Sequence, residues 1–171
     1  KSESGRNRSV HGQRSLLTII SKGDKAGLKE LHDSGECMDQ VVRSKKMGDG
    51  NAWHFTALAW AAFVKQLEMM RLLLELGASV DDKKMWHQVP ANMAASGGYI
   101  EGLVLLRDKG CDFTKSDSLN ITPVHAAAMN GHFHIIKQLF DWGLAMDSKD
   151  VNGRTPADCA ENGSHAQCAV N

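Results

Sequence analysis

The sequence predicts an all-α repeat solenoid of about five stacked helix-pair units, and three observations carry that prediction. Gly77, Gly110 and Gly143 each close a leucine-rich helical run and lie 33 residues apart. Thr56, Val89, Thr122 and Thr155 recur at the same interval. Between them sit the alanine pairs Ala61-Ala62, Ala94-Ala95 and Ala127-Ala128, again in step. A fixed period of this length is the signature of supersecondary units that bury their apolar faces only by stacking.

Each unit has the same local logic. Thr122-Pro123 and Thr155-Pro156 place a hydroxyl at an N-cap and a proline at the first helical position. The short helix that follows is built on alanine, so neighbouring units can approach closely. Gly23, Gly98 and Gly131 break it. A second helix then carries the bulk, with Leu67, Met70, Leu73 and Leu74 in one unit and Phe133, Ile136, Leu139 and Phe140 in another. Spacings of three and four put those side chains on one face. The closing glycine suits a left-handed C-cap.

The first unit is located by the same arithmetic. Thr56, Val89 and Thr122 lie 21 positions before their closing glycines, and Arg14 lies 21 before Gly35. The step from Arg14 to Thr56 is 42, one period plus nine residues. The excess falls in residues 42–50, VRSKKMGDG, and reads as a loop insertion. Units are therefore expected near 14–50, 51–83, 84–116, 117–149 and 150–171, after a polar segment 1–13 whose composition argues for disorder.

The period, together with TPVHAAAMNGHFHIIKQLFDWG from Thr122 to Gly143 and DVNGRTPADCAENG from Asp150 to Gly163, resembles the ankyrin repeat. The resemblance spans roughly residues 14 to 171. It implies repeats joined by β-hairpin-like turns, and a protein or peptide ligand bound at the turn tips and the concave first-helix face. It also implies that a histidine at the position of His125 ties neighbouring repeats by hydrogen bonds. Ala59, Asn92 and Asp158 stand at that position elsewhere, so those seams are expected to be held differently. Lys65 replaces the mid-repeat glycine, where a left-handed turn would carry strain. The first unit lacks Thr-Pro and reads as an N-terminal cap.

The turns before each Thr position read N-A-W-H-F, K-M-W-H-Q, D-S-L-N-I and D-V-N-G-R. The last is an ordinary polar turn, with Gly153 where positive φ is easiest. The others place Trp53, Phe55, Met85, Trp86, Leu119 and Ile121 where side chains should point away from the helical core. Trp53, Trp86 and Leu119 are 33 apart, so stacking would align them into a ridge. Clustered exposed aromatics mark interaction sites. Phe63, Met129, Gln88 and Arg154 would extend the surface. The competing reading is self-packing: the insertion folds over Trp53 and Phe55, and Trp86 packs on Trp53.

Other signals point to little chemistry. Lys plus Arg and Asp plus Glu number 20 each, so no basic excess suggests a nucleic-acid partner. No apolar run approaches the ~20 residues of a membrane helix, so direct membrane insertion is not expected. Cys37, Cys111, Cys159 and Cys168 form no framework and read as reduced thiols, which implies an intracellular setting, cytoplasmic or nuclear. His54, His87 and the His132/His134 pair lack the further converging ligands that a metal site needs. Asp81-Asp82 reads as a solvated turn. No phosphate-binding, nucleophile-elbow or zinc-protease motif occurs. A monomeric, non-catalytic scaffold without cofactor is the leading expectation. An intramolecular regulatory or substrate-recruiting domain of a larger enzyme or membrane protein is the alternative, and an enzyme with an unfamiliar site is a weaker third.

Overall fold

A computed structural model describes residues 16–39, 41–43, 54–81 and 89–162. Five helices begin repeats: α1 (Leu16–Lys22), α3 (Ala57–Phe63), α5 (Pro90–Ser96), α7 (Pro123–Met129) and α9 (Pro156–Asn162). Four longer ones follow them: α2 (Lys25–Asp33), α4 (Leu67–Glu75), α6 (Ile100–Asp108) and α8 (Phe133–Asp141). The principal contacts run along the row of first helices, α1 to α3 to α5 to α7 to α9, with each second helix backing its own first helix. This is an all-α repeat solenoid.

The residues named by the period do what their chemistry requires. Thr56 Oγ1 accepts from Ala59 N at 3.2 Å, and Thr122 Oγ1 accepts from His125 N at 3.4 Å. Pro90, Pro123 and Pro156 each open a helix, where the absent N–H has no acceptor to miss. The alanine pairs are fully buried and let adjacent first helices touch through Cβ groups. Larger side chains close the core behind them, including Met69, Met70, Leu73, Leu103, Leu106, Ile135 and Leu139.

Backbone conformation follows the glycine pattern and its exception. Lys65 takes φ 58° where other repeats use glycine, so the expected strain is present. At the equivalent Gly98, a Cβ would stand 2.8 Å from His132 Nδ1, so that turn needs glycine for close approach as well as for its φ of 64°.

Two expectations about local structure change. Residues 42 and 43, placed in a loop insertion, belong to a strand: β1 (Val41–Arg43) pairs antiparallel with β2 (His54–Thr56), Val42 opposite Phe55. The remainder of the insertion, residues 44–50, lies outside the described residues, as does the segment 1–13. The one-face reading of Phe133, Ile136, Leu139 and Phe140 also fails. In α8, Ile135 and Leu139 point inward, whereas Phe133 is exposed and Phe140 is 63% exposed. A seven-residue step returns Phe140 to the azimuth of Phe133, on the opposite side from the buried pair.

Candidate binding surface

The turns are built before their tips can present anything. Asp150 organises residues 150–154: its Oδ1 accepts from Asn152 N at 2.8 Å and Arg154 N at 2.9 Å. Its Oδ2 takes Arg154 Nε at 2.8 Å and Nη2 at 2.7 Å. Burial opposes ionisation of this carboxyl, but the guanidinium and the two backbone N–H groups outweigh it and hold the group at about 2. One repeat earlier, Asp117 Oδ1 accepts from Leu119 N at 2.9 Å and Ile121 N at 3.0 Å. Asn120 supplies positive φ there (58°), as Gly153 does in the next turn (76°). The tips are then joined by Val151 N donating to Leu119 O at 3.1 Å.

Behind the turns, polar side chains lock one repeat to the next. His125 is fully buried; its Nε2–H donates to Arg154 O at 3.1 Å. That tautomer leaves Nδ1 as acceptor for the Thr122 hydroxyl at 2.9 Å. Asn92 performs the same reach with a different side chain: Nδ2 donates to Ile121 O at 2.7 Å. Val89 stands where Thr122 stands in the next repeat, and Asn92 Oδ1 is left buried without a partner. Asp158 turns back to its own cap, accepting from Thr155 N and Oγ1 at 2.8 Å.

With turns and seams fixed, the tips carry apolar groups into solvent. Leu119 is 56% exposed and Val151, in the adjacent tip, 58%. On the first-helix face, Phe63 and Met129 are exposed at equivalent positions of α3 and α7. Arg154 is half-buried by its pairing with Asp150. Trp53, Met85, Trp86 and Gln88 lie outside the described residues.

Phe55 and Ile121 correct the expectation of outward-pointing positions. Phe55 is 3% exposed; its ring lies 5.3 Å from Trp60 and 6.4 Å, stacked, from Phe63. Ile121 is half-buried and packs on the core. Both stand immediately before the capping Thr of their helix, Phe55 against the rings of α3 and Ile121 against the core, and so become supports.

Trp60 and Val151 were not singled out by sequence reasoning. Trp60 is partly buried, touches Phe63 at 5.6 Å and donates from Nε1 to Ser21 Oγ at 3.0 Å, which anchors the aromatic group to α1. Its alanine-rich neighbourhood hid it. Val151 was masked by its polar turn, although its place beside Leu119 follows from the repeat register. Away from the tips, Trp142 covers a neighbour's apolar edge, 5.3 Å from Phe113 and under the Arg107 guanidinium at 4.6 Å.

Among the described residues no three His, Cys, Asp or Glu side chains converge on a point. The buried Cys111 and Cys159 thiols are both pushed up, Cys111 by burial and a hydrogen bond to Asp81, Cys159 chiefly by burial. That is the opposite of what a reactive thiolate needs. Among the described residues no helix is long and apolar enough to cross a membrane.

Comparison with curated proteins gave no match. A family model described as ankyrin repeats (3 copies) matches residues 91–169, and one described as ankyrin repeat matches residues 53–84. The matched segments cover both halves of the stack and most of the repeats counted from the glycine period. The chain belongs to the ankyrin repeat family.

Proposed function

We propose that this chain holds a protein or peptide against its turn tips and first-helix face, as a scaffold rather than a catalyst. Ankyrin repeats are generally protein–protein interaction modules. The observation that supports this mode is the adjacent pair Leu119 and Val151, exposed on turns whose backbone groups are already bonded internally. An apolar tip on a pre-ordered turn loses little entropy when covered. Trp53, Met85, Trp86, Leu119, Phe63 and Met129 are the proposed contacts. Phe55, stacked on Phe63, and Ile121, packed on the core, act as supports. Gln88 and the free edge of Arg154 supply orientation.

The test is capture of a partner by the chain and by two variant sets, with helicity followed by circular dichroism. Trp53→Ala/Trp86→Ala and Leu119→Ala/Met129→Ala should each weaken binding by about tenfold or more, the range of a lost interface anchor. Phe140→Ala, on the outer side of α8, should leave binding unchanged. Full retention of the partner by both folded variants would rule the tips out. A fold lost in the tryptophan variant would instead favour self-packing of that ridge.

A further inference from the structure

Asparagine followed by glycine occurs at Asn130-Gly131, Asn152-Gly153 and Asn162-Gly163. Such a step is chemically weak because glycine has no Cβ to keep its backbone nitrogen from the asparagine side-chain carbonyl. The fold treats two of these steps very differently. Asn130 Nδ2 donates to Ala126 O at 2.8 Å and Ser96 Oγ at 3.0 Å, so turning its amide toward Gly131 breaks both bonds. Asn152 is exposed at the tip of its turn, and its side-chain amide makes no hydrogen bond to any described residue.

We propose that Asn152 is a site of spontaneous modification, converted to aspartate and isoaspartate by way of Gly153. The Gly153 nitrogen attacks Asn152 Cγ, a new C–N bond closes a five-membered succinimide, and the Cγ–Nδ2 bond breaks. The Gly153 proton passes to solvent, solvent returns a proton to Nδ2, and the side-chain nitrogen leaves as ammonia. Water then adds to either ring carbonyl and the bond from that carbon to the ring nitrogen breaks, giving a carboxylate at position 152 with the main chain running through the α or the β carbon. Gly153 N is held by Asp150 O at 2.9 Å, so the attack waits on opening of that one turn bond. The β-linked product inserts an extra methylene ahead of Gly153. It displaces Arg154, whose N–H serves Asp150 and whose carbonyl accepts from His125. The new charge also stands beside the Asp150 carboxylate.

The measurement is peptide mapping by mass spectrometry during incubation at mildly alkaline pH. Trypsin places the three steps in separate peptides, 116–137, 150–154 and 155–171. In the folded chain, peptide 150–154 should gain the amide-to-acid mass and split into two products several-fold faster than 116–137. In denaturant those two rates should converge, and Asn152→Gln should abolish the change in its own peptide. An unchanged peptide 150–154, or equal rates at Asn130 and Asn152 in the folded chain, would overturn the proposal. A rate difference that persists in denaturant would also overturn it, because folding would then not be its source.

Discussion

Asp150 shows how one side chain sets the acid sensitivity of a repeat. In the folded chain its carboxyl sits at about 2, below its ordinary value of 3.8. A group depressed on folding stabilises above its unfolded pKa, and that stabilisation is lost as pH falls through the folded value. Urea midpoints should therefore drop between about pH 4 and pH 2, and Asp150→Asn should flatten part of that drop while lowering the midpoint at neutral pH. Identical slopes in both chains would contradict the assignment. The slope should not vanish, because Asp112, Asp158 and Glu68 are lowered as well, by the Thr114 hydroxyl and backbone, the Thr155 backbone and hydroxyl, and Lys25 respectively. At this scale the sequence was readable where a residue type has one use: Thr caps, closing glycines, and the strained Lys65. It was less readable for Phe55, whose inward turn depends on the β1–β2 pairing, which draws on the non-periodic residues 42 and 43, and on Trp60 and Phe63 of α3.

Helix seams are the next level, and here substitutions at the His position have different outcomes. His125 with Thr122 satisfies both ring nitrogens, whereas Asn92 with Val89 crosses the seam but strands its Oδ1. A buried acceptor without a partner lowers stability. The double change Val89→Thr/Asn92→His should recreate the α7 arrangement at α5 and add about 1 kcal/mol, the usual worth of a hydroxyl N-cap. Asn92→His alone should gain less, since its Nδ1 would face a valine methyl. A double variant with a urea midpoint no higher than either single variant would show that the α5 seam cannot use the extra bonds. The existence of the pairs of helices was evident from period and caps. Which part of a second helix is buried was not, because the apolar residues of α8 run round nearly half of the helix, from Ile135 through Leu139 and Ile136 to Phe140 and Phe133, and only the position of its neighbours selects Ile135 and Leu139.

At the scale of the whole molecule, repeats contact chiefly their neighbours, so stability is close to a sum of unit and seam terms. Leu139→Ala removes a fully buried side chain and should cost roughly 2–5 kcal/mol. Hydrogen exchange should show the loss first in α7, α8 and α9, with α1 to α4 keeping most of their protection. Uniform loss across every helix would mean that the array behaves as one cooperative block. The solenoid itself was legible because a 33-residue self-similarity survives changes at individual positions. The surface was legible only in part: register predicted that Leu119 and Met129 would be presented, but not that Val151 would join Leu119 across a turn-to-turn bond.

The alanine rows have a consequence for how such a chain can change length in evolution. First helices meet through fully buried alanine Cβ groups, so a one- or two-residue insertion within α5 would rotate larger side chains into a space with no room for them. Viable length changes must then come as whole copies of the period, or collect in the turns where no seam is crossed. The nine additional residues between the first and second repeats fall in the connection from α2 to α3, and β1, which takes up residues 42 and 43 of them, marks where new sequence can be admitted without disturbing the row of stacked helices.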